Sequence, residues 1–582
     1  MKIAATALMI FLFAPLGNVY GQAPAQPTLP QNTVGLTLPT QGTSACPTLT
    51  TGSSCIRKIP SGDATSLQNA INASTCGDTI VLVAGSTYSG NFTVPATSCS
   101  GWTEIVSSAV SSLPTPGNRV SLSNASNMAI VSTPNTAAAI QFKPSSNHWR
   151  LIGIDITTSY VSTTNTVYYL VGMGESQSNQ SLLPSYVIFD RCLILGLSNT
   201  NTQHGIGMDG ASVGIVDSYC DEIHHNGSDA QCFFAYNGPG PFLIQNNFIQ
   251  ASTENIMFGG ADPAIANLVP SDITIVGNLI QKNTAWRGLA SPYNWQVKNL
   301  LEFKNAQRVL IDGNVLQYDW EAQQGTAVLI AGANQSGACT WCIAQDITFT
   351  HNLLQHIPSA IEIAFYNGGS GFVAQVTQRV LVRNNLILDS NSSTWGAGDL
   401  FFAATSSAAQ GHDWIIDHNT GFSDHKFLNM GDSGTVANFQ LTNNIRAHGT
   451  YGIGGTGQGE GSAALNFYAP GAVYGDILLQ TPTGANPGGY PATTSFNTLS
   501  STGFTSVTGT SPNLSGNFQL LNTSPFHQAG TDGKDVGVWD WTCLNNDSAA
   551  ALAGIFVPSS SGCALSGNLP LQPPSNLTVV VQ

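Results

Sequence analysis

The strongest constraint in this chain is a strand motif that ends on asparagine and keeps returning. It reads Phe242-Leu-Ile-Gln-Asn-Asn247-Phe-Ile, Ile273-Thr-Ile-Val-Gly-Asn278-Leu-Ile and Val309-Leu-Ile-Asp-Gly-Asn314-Val-Leu, then Ile347-Thr-Phe-Thr-His-Asn352-Leu-Leu and Val380-Leu-Val-Arg-Asn-Asn385-Leu-Ile. Weaker copies end at Asn419 and Asn444, and earlier ones place Asp155, Cys192 and Tyr219 at the asparagine position. From Asn247 to Asn444 the steps are 31, 36, 38, 33, 34 and 25 residues. A constant motif at uneven spacing means a constant rung with loops of variable length. Alternating apolar residues before the asparagine make one inward-facing strand. Asparagine tolerates the left-handed backbone of a corner, and its amide can bond backbone groups and its own copies in neighbouring rungs. Such rungs cannot bury their faces alone and must stack, at about 4.8 Å, into a parallel β-helix. The fold class expected is all-β, a single-stranded right-handed parallel β-helix, with a short cap helix where Leu67, Ala70 and Ile71 follow helical spacing behind Asp63.

Composition agrees. Only 17 basic and 32 acidic residues occur among 582, or 8%, too few for the charged faces of a coiled coil or helical solenoid. The net charge of −15 repels phosphates and excludes a general nucleic-acid binder. Lys2 followed by the apolar run Ile3 to Leu16 reads as an export signal ending near Gly21, and no later run is long enough to span a bilayer. A secreted or periplasmic protein, working as a monomer, is expected. Residues 22–45, rich in Pro, Thr and Gln, read as a flexible leader, residues 46–545 as the β-helix with its caps, and 546–582 as a C-terminal cap or tail. Export permits disulfides. Short-range pairs are Cys46 with Cys55, Cys76 with Cys99, Cys220 with Cys232 and Cys543 with Cys563. Cys339 and Cys342 can close a tight loop, and Cys192 remains as a buried thiol.

Several segments carry a family resemblance. The opening Ile59-Pro-Ser-Gly-Asp-Ala-Thr-Ser-Leu-Gln-Asn-Ala-Ile71 and Cys76-Gly-Asp-Thr-Ile-Val-Leu resemble the N-terminal cap of the secreted bacterial parallel β-helix proteins of the pectate-lyase-like superfamily. Glu254-Asn-Ile-Met-Phe-Gly-Gly-Ala-Asp262 and Lys298-Asn-Leu-Leu-Glu-Phe-Lys-Asn305 resemble its central rungs, and Ser524 to Gly537 its last rung. The resemblance covers residues 56 to 545 and implies lyases, hydrolases, epimerases or non-catalytic adhesins, so the fold group alone names no substrate. The tail from Leu569 to Val581 is similar to the first strand of a fibronectin-type module.

Charge is scarce, so its placement is informative. Lys282, Arg287, Lys298, Lys304 and Arg308 fall within 27 residues that hold one acid, Glu302. No Lys or Arg occurs between Arg191 and Lys282, a stretch that holds Asp209, Asp217, Asp221, Glu222, Asp229, Glu254, Asp262 and Asp272. With Leu301 and Phe303 inward, strand alternation turns Lys298, Glu302, Lys304 and Leu300 outward. In the preceding rung it is expected to turn Glu254, Ile256, Phe258 and Gly260 the same way, and two rungs on Glu362 and Tyr366. Trp286, Tyr293, Trp295 and Trp320 in neighbouring loops are expected to offer flat faces to sugar rings, with Arg287 and Arg308 at the edge. The motif His224-His225 reads as a polar turn.

This patch favours a polysaccharide-active enzyme over a structural or adhesin β-helix. The leading reading is a lyase that cleaves a uronic-acid-containing polysaccharide by β-elimination. Lys298 and Lys304 would serve as base and carboxylate anchor, with Glu254 and Glu302 holding the cluster, and the base lysine would need a lowered pKa. Asp229, Glu254 and Asp262 are the candidate ligands for Ca2+. The runner-up is a glycoside hydrolase using two carboxylates.

Overall fold

The computed structural model describes residues 23–37, 40–366, 371–405, 410–432, 434–475, 477–480, 489–491 and 493–557. The export segment, Cys563 and the fibronectin-like tail lie outside them. Three long sheets of parallel strands run the length of the chain, with 15, 14 and 12 strands, and each strand pairs with its equivalents in the rungs before and after. This is the parallel β-helix. The sheet that contains Ser271–Val276 is called the first, that of Leu279–Gln281 the second and that of Leu301–Phe303 the third. Helix Ala64–Ala73 caps the start through Leu67, Ala70 and Ile71, and Asp63 accepts the Ser66 amide at 2.9 Å.

The asparagines form one buried column at the corner between the first and second sheets. The backbone N–H and Nδ2 of Asn278 both donate to Oδ1 of Asn314, at 2.9 Å each. Asn314 does the same to Asn352 at 2.9 and 3.0 Å, and Asn352 to Asn385 at 2.9 and 3.1 Å. The column continues through Asn419 to Asn444 and begins at Asn247. Each Nδ2 also caps a carbonyl of the previous rung, as Asn314 does Ile275 at 3.0 Å.

Two details differ from the sequence reading. The left-handed residue is the one before each asparagine, including Asn246, Gly277, Gly313, His351 and Asn384. In the earlier rungs Cys192 does hold the column position, but Ser218 and Ile154 take the places expected for Tyr219 and Asp155. The partners Asp155–Leu193, Leu193–Tyr219 and Tyr219–Phe248 place those two residues one step past the corner.

The leader is not a free linker: Val34 and Leu36 are buried with Ile188, Val216, Leu243 and Val276 on the outer side of the first sheet. Helix Trp541–Ala553 folds back along the asparagine corner, where Arg119 bonds both Asn247 and Ala551. Cys46–Cys55, Cys76–Cys99, Cys220–Cys232 and Cys339–Cys342 are bonded. Cys543 is disulfide-bonded, and Cys192 is a free thiol that burial pushes up to about 12.

Asn314→Ala removes three buried donations and orphans the backbone N–H of Asn278, whose Nδ2 keeps the carbonyls of Ile244 and Val276. We expect it to destabilise the chain by about 3 kcal/mol in denaturant unfolding, whereas Asn513→Ala on the exposed hairpin stays within about 0.5 kcal/mol.

Candidate functional site

The strands that carry the site are short. Strand Ile256–Phe258 pairs with Leu301–Phe303, matching Ile256 to Leu301, Met257 to Glu302 and Phe258 to Phe303. Leu301, Phe303, Ile256 and Phe258 all point into the core, and so does Leu300. The expected outward placement of Ile256, Phe258 and Leu300 is therefore corrected: the outward neighbour of Glu302 is Met257. Three apolar residues in a row leave a period of two nothing to choose between. On the other side Glu302 pairs with Leu329, and Leu329 with Glu362.

Five ionisable groups meet on this outward side. The Lys298 ammonium lies 2.7 Å from Asp229 and 3.6 Å from Glu254. The Lys304 ammonium lies 2.8 Å from Glu302. Gln231 donates to Glu254 at 2.6 Å, and the carboxyl group of Glu302 is buried close enough to Glu254 for the two to shift each other. Glu254 and Glu302 have no exposed side-chain surface, whereas the side chains of Lys298 and Asp229 are 16% and 36% exposed. The cluster is thus closed at its base and open at the Asp229–Lys298 pair.

The two glutamates are driven apart. Burial, opposed by Lys304 and reinforced by the charge of Glu254, pushes Glu302 up to about 8. Burial works the same way on Glu254, but Lys298 and Lys304 outweigh it and hold this carboxyl below its ordinary value. These shifts favour the proton on Glu302 and the charge on Glu254 near neutral pH. Burial, and then Glu254, raise Asp229. Both lysines are raised: burial opposes charge, but Glu254 with Asp229 around Lys298, and Glu302 with Glu254 around Lys304, outweigh it. The expectation that one of these lysines is a neutral base is corrected, because each faces carboxylates rather than another cation. The lowered lysine is Lys282, which burial brings to about 8, and it is enclosed by Asn255 and the carbonyls of Thr253 and Asn299.

The remaining candidates are dispersed. Arg308 belongs to the first sheet and forks onto Asp272 at 2.7 and 3.1 Å, away from this side. Trp286, Trp295 and Trp320 are buried against one another and Val297, so they pad the loops instead of offering faces to a sugar. Arg287 lies over Trp320 and Trp395, and Tyr293 is exposed. His224 is fully buried, bridged to Thr202 and stacked on Trp295 at 3.8 Å, and His225 bonds Thr166, so the expected polar turn is corrected: the bend begins only at Asn226. Asp262 accepts the amides of Gln335, Ser336 and Ala338, at 2.7 to 3.1 Å, and caps their loop. The residues do not fit Ca2+: Asp262 is committed elsewhere, and the Lys298 ammonium stands between Asp229 and Glu254 where the ion would have to sit.

Sequence reasoning missed the aromatic stack that continues this side. His204 lies between Tyr169 and Phe234, at 4.8 and 4.7 Å, with exposed Tyr168 at its edge. Burial lowers His204 to about 3, so it stays neutral. Only the register pairing Tyr169 with His204 and His204 with Gln231 reveals it. A cavity of about 1010 Å3 lies elsewhere, lined by Phe422, Asp424, His448, Leu499 and Phe504. The charged cluster, which gathers five ionisable groups with an opening to the surface, is the better candidate.

No family model matches the chain, and no curated protein matches it in sequence. Solved structures with loose similarity include an alginate lyase from Paenibacillus sp. str. FPU-7, at 14% identity and TM-score 0.27, covering 70% of this chain and 96% of that one. A PL6 family alginate lyase shows 10% identity and TM-score 0.39, covering 84% and 59%. A capsular polysaccharide depolymerase, the tailspike of Acinetobacter baumannii bacteriophage Fri1, shows 10% identity and TM-score 0.31, covering 76% and 68%.

The raised Glu302 has a signed consequence. Between its ordinary value of 4.5 and about 8 the folded state holds a proton that the unfolded state releases. This group's contribution to stability is full below 4.5 and is lost as pH rises through about 8. Glu302→Gln cannot ionise, so its unfolding profile should lack that decline relative to the parent chain. The carboxylic-acid carbonyl band in the infrared spectrum at neutral pH should weaken with it.

Proposed function

We propose that this β-helix is a carbohydrate-active enzyme that cleaves a uronic-acid-containing polysaccharide by β-elimination on the outward side of the third sheet. The observation that carries the reading is the open Asp229–Lys298 pair resting on a buried glutamate pair of opposite protonation. Stability gives no reason for such an arrangement. Burying ionisable groups costs free energy that their pairing only partly offsets, and well-packed apolar residues serve a rung at least as well. Groups pushed apart in pKa beside a surface opening are the usual mark of acid–base work.

Each group has a place in the chemistry. Lys298, held charged, pairs the carboxylate of a bound uronate and stabilises the anion that forms beside it. Asp229, raised by burial and by Glu254, takes the proton next to that carboxylate. The electrons of the broken C–H bond form the ring double bond, the bond to the leaving glycosidic oxygen breaks, and that oxygen takes up a proton from solvent water. Glu254 and Lys304 fix the field around Lys298, and Glu302 keeps a second negative charge out of it. Hydrolysis is less well served, since it needs two carboxyl groups that both reach the sugar, and Glu254 and Glu302 are enclosed. The four disulfides between described cysteines fit an oxidising compartment and an extracellular polysaccharide.

The test is a panel of uronic-acid and neutral polysaccharides, followed by the ultraviolet absorbance of the unsaturated uronate. Asp229→Asn and Lys298→Met should keep the circular dichroism of the parent and lose about a hundredfold or more of its turnover. Reducing ends without the absorbance would favour hydrolysis. No release from any member would favour a binding or structural role.

A further inference from the structure

A second built surface lies at the corner where the first sheet begins. Asp272, Arg308, Asp346, Arg379 and Asp413 occupy equivalent positions in five successive rungs, and their charges alternate. Arg308 forks onto Asp272, and Arg379 onto Asp346 with both distances at 2.7–2.8 Å. All five have left-handed backbone, with φ between 51° and 61°. A side chain there costs on the order of 1 kcal/mol or more relative to glycine. This chain has 60 glycines and uses none at these five places, so the charged row calls for a reason.

The leader supplies one. Its backbone amides donate to every aspartate of the row: Ala25 to Asp413, Thr28 to Asp346 and Gln31 to Asp272, each at 2.9 Å. Asn32 adds its side-chain amide to Asp272 at 2.9 Å. The donors are three residues apart and the acceptors two rungs apart. The leader's contacts continue beyond the charged row. Val34 packs over Gly214, two rungs further on, and the carbonyl of Leu36 accepts Arg150 two rungs beyond that. Pro24, Pro27 and Pro30 precede the three donors, and Pro24 and Pro30 are buried.

A period of three with proline at each repeat is that of the polyproline II helix. Its turn of three residues rises about 9.3 Å, and two rungs rise about 9.6 Å, so the two lattices match. That helix makes no internal hydrogen bonds, so every non-proline amide needs an outside acceptor, and a carboxylate is a strong one.

We infer that the corner formed by Asp272, Arg308, Asp346, Arg379 and Asp413 is a recognition surface for a polyproline II segment with one proline in three, and that its occupant is the proline repeat of the chain's own leader, residues 24–32. The arginines hold each carboxylate in place, the aspartates read the amide spacing, and the prolines set the pitch in advance.

Amide hydrogen exchange on the full-length chain tests this. The amides of Ala25, Thr28 and Gln31 should be protected. Asp346→Ala should speed exchange at Thr28 by about tenfold or more, the scale of one charged hydrogen bond. A chain with Pro24→Gly, Pro27→Gly and Pro30→Gly should speed all three and so vacate the corner. A synthetic peptide of residues 23–37 should then bind that variant saturably and leave the parent chain unbound. The same peptide with one alanine inserted after Thr28 should bind about tenfold more weakly or worse, since it loses at least one such bond. The inference is overturned if the three amides of the parent exchange freely, or if the glycine variant keeps their protection. It is also overturned if that variant, folded by circular dichroism, binds neither peptide or both equally.

Discussion

The asparagine carboxamide at the corner between the first two sheets is the interaction on which the rest of the molecule depends. One Oδ1 accepts two donors from the rung before, and one Nδ2 covers that rung's carbonyl. A buried turn would otherwise leave those backbone groups unpaired, at about 1–3 kcal/mol each. Because the bond runs from rung to rung it also sets the stacking height, so rungs of 25 to 38 residues stay in step while their loops differ. Glutamines repeat the device on the outer side, where Gln355 bonds Gln317 and Gln317 bonds Gln281, each at 2.8 Å.

A rigid rung lattice also decides where charge can be placed. The interior is filled mainly by Val, Ile, Leu and Phe, where an ion is costly unless it is paired. Buried ionisable groups therefore collect on the outer side of a sheet, where they can pair across rungs. Lys298 reaches Glu254 in the rung before it and Asp229 in the rung before that, and Lys304 reaches Glu302 within its own rung. The opposite protonation of the two glutamates results from this spacing. Two carboxyl groups one rung apart cannot both ionise out of water, and the one flanked by both ammonium groups keeps the charge.

The Asn column was legible because it is local: two apolar neighbours, a corner residue and a repeat suffice. The cluster was half legible. Scarcity of charge pointed to Lys298, Glu302, Lys304 and Glu254, but their protonation was not readable, since it depends on which groups face one another across rungs. The sequence Ile256-Met257-Phe258 hid the register, as an unbroken apolar run carries no alternation. The tryptophans misled because bulky loop residues need burial as much as a sugar needs a platform, and Trp286, Trp295 and Trp320 satisfied one another. In the leader, Pro24, Pro27 and Pro30 looked like low complexity. Their spacing gains meaning only beside a rung height that the leader itself does not encode.

In a solenoid each rung touches only its neighbours, so rungs can fray from either end. Both terminal segments of the described chain counter this in the same way. The leader runs from the Asp413 rung back to the Arg150 rung along one corner of the first sheet. The C-terminal segment runs back along the other corner, touching His418 through the carbonyl of Asp535, Asn384 through the amide of Trp539, Gly313 through Asp547 and Gly277 through Phe556. The two meet on the outer side of the first sheet, where Val34, Leu36 and Phe556 share one apolar cluster. Contacts that tie together rungs far apart in the stack make nearest-neighbour stability cooperative over many rungs. They also occupy the outer side of the first sheet, and the charged cluster with its open Asp229–Lys298 pair lies on the third, which these segments do not cross among the described residues.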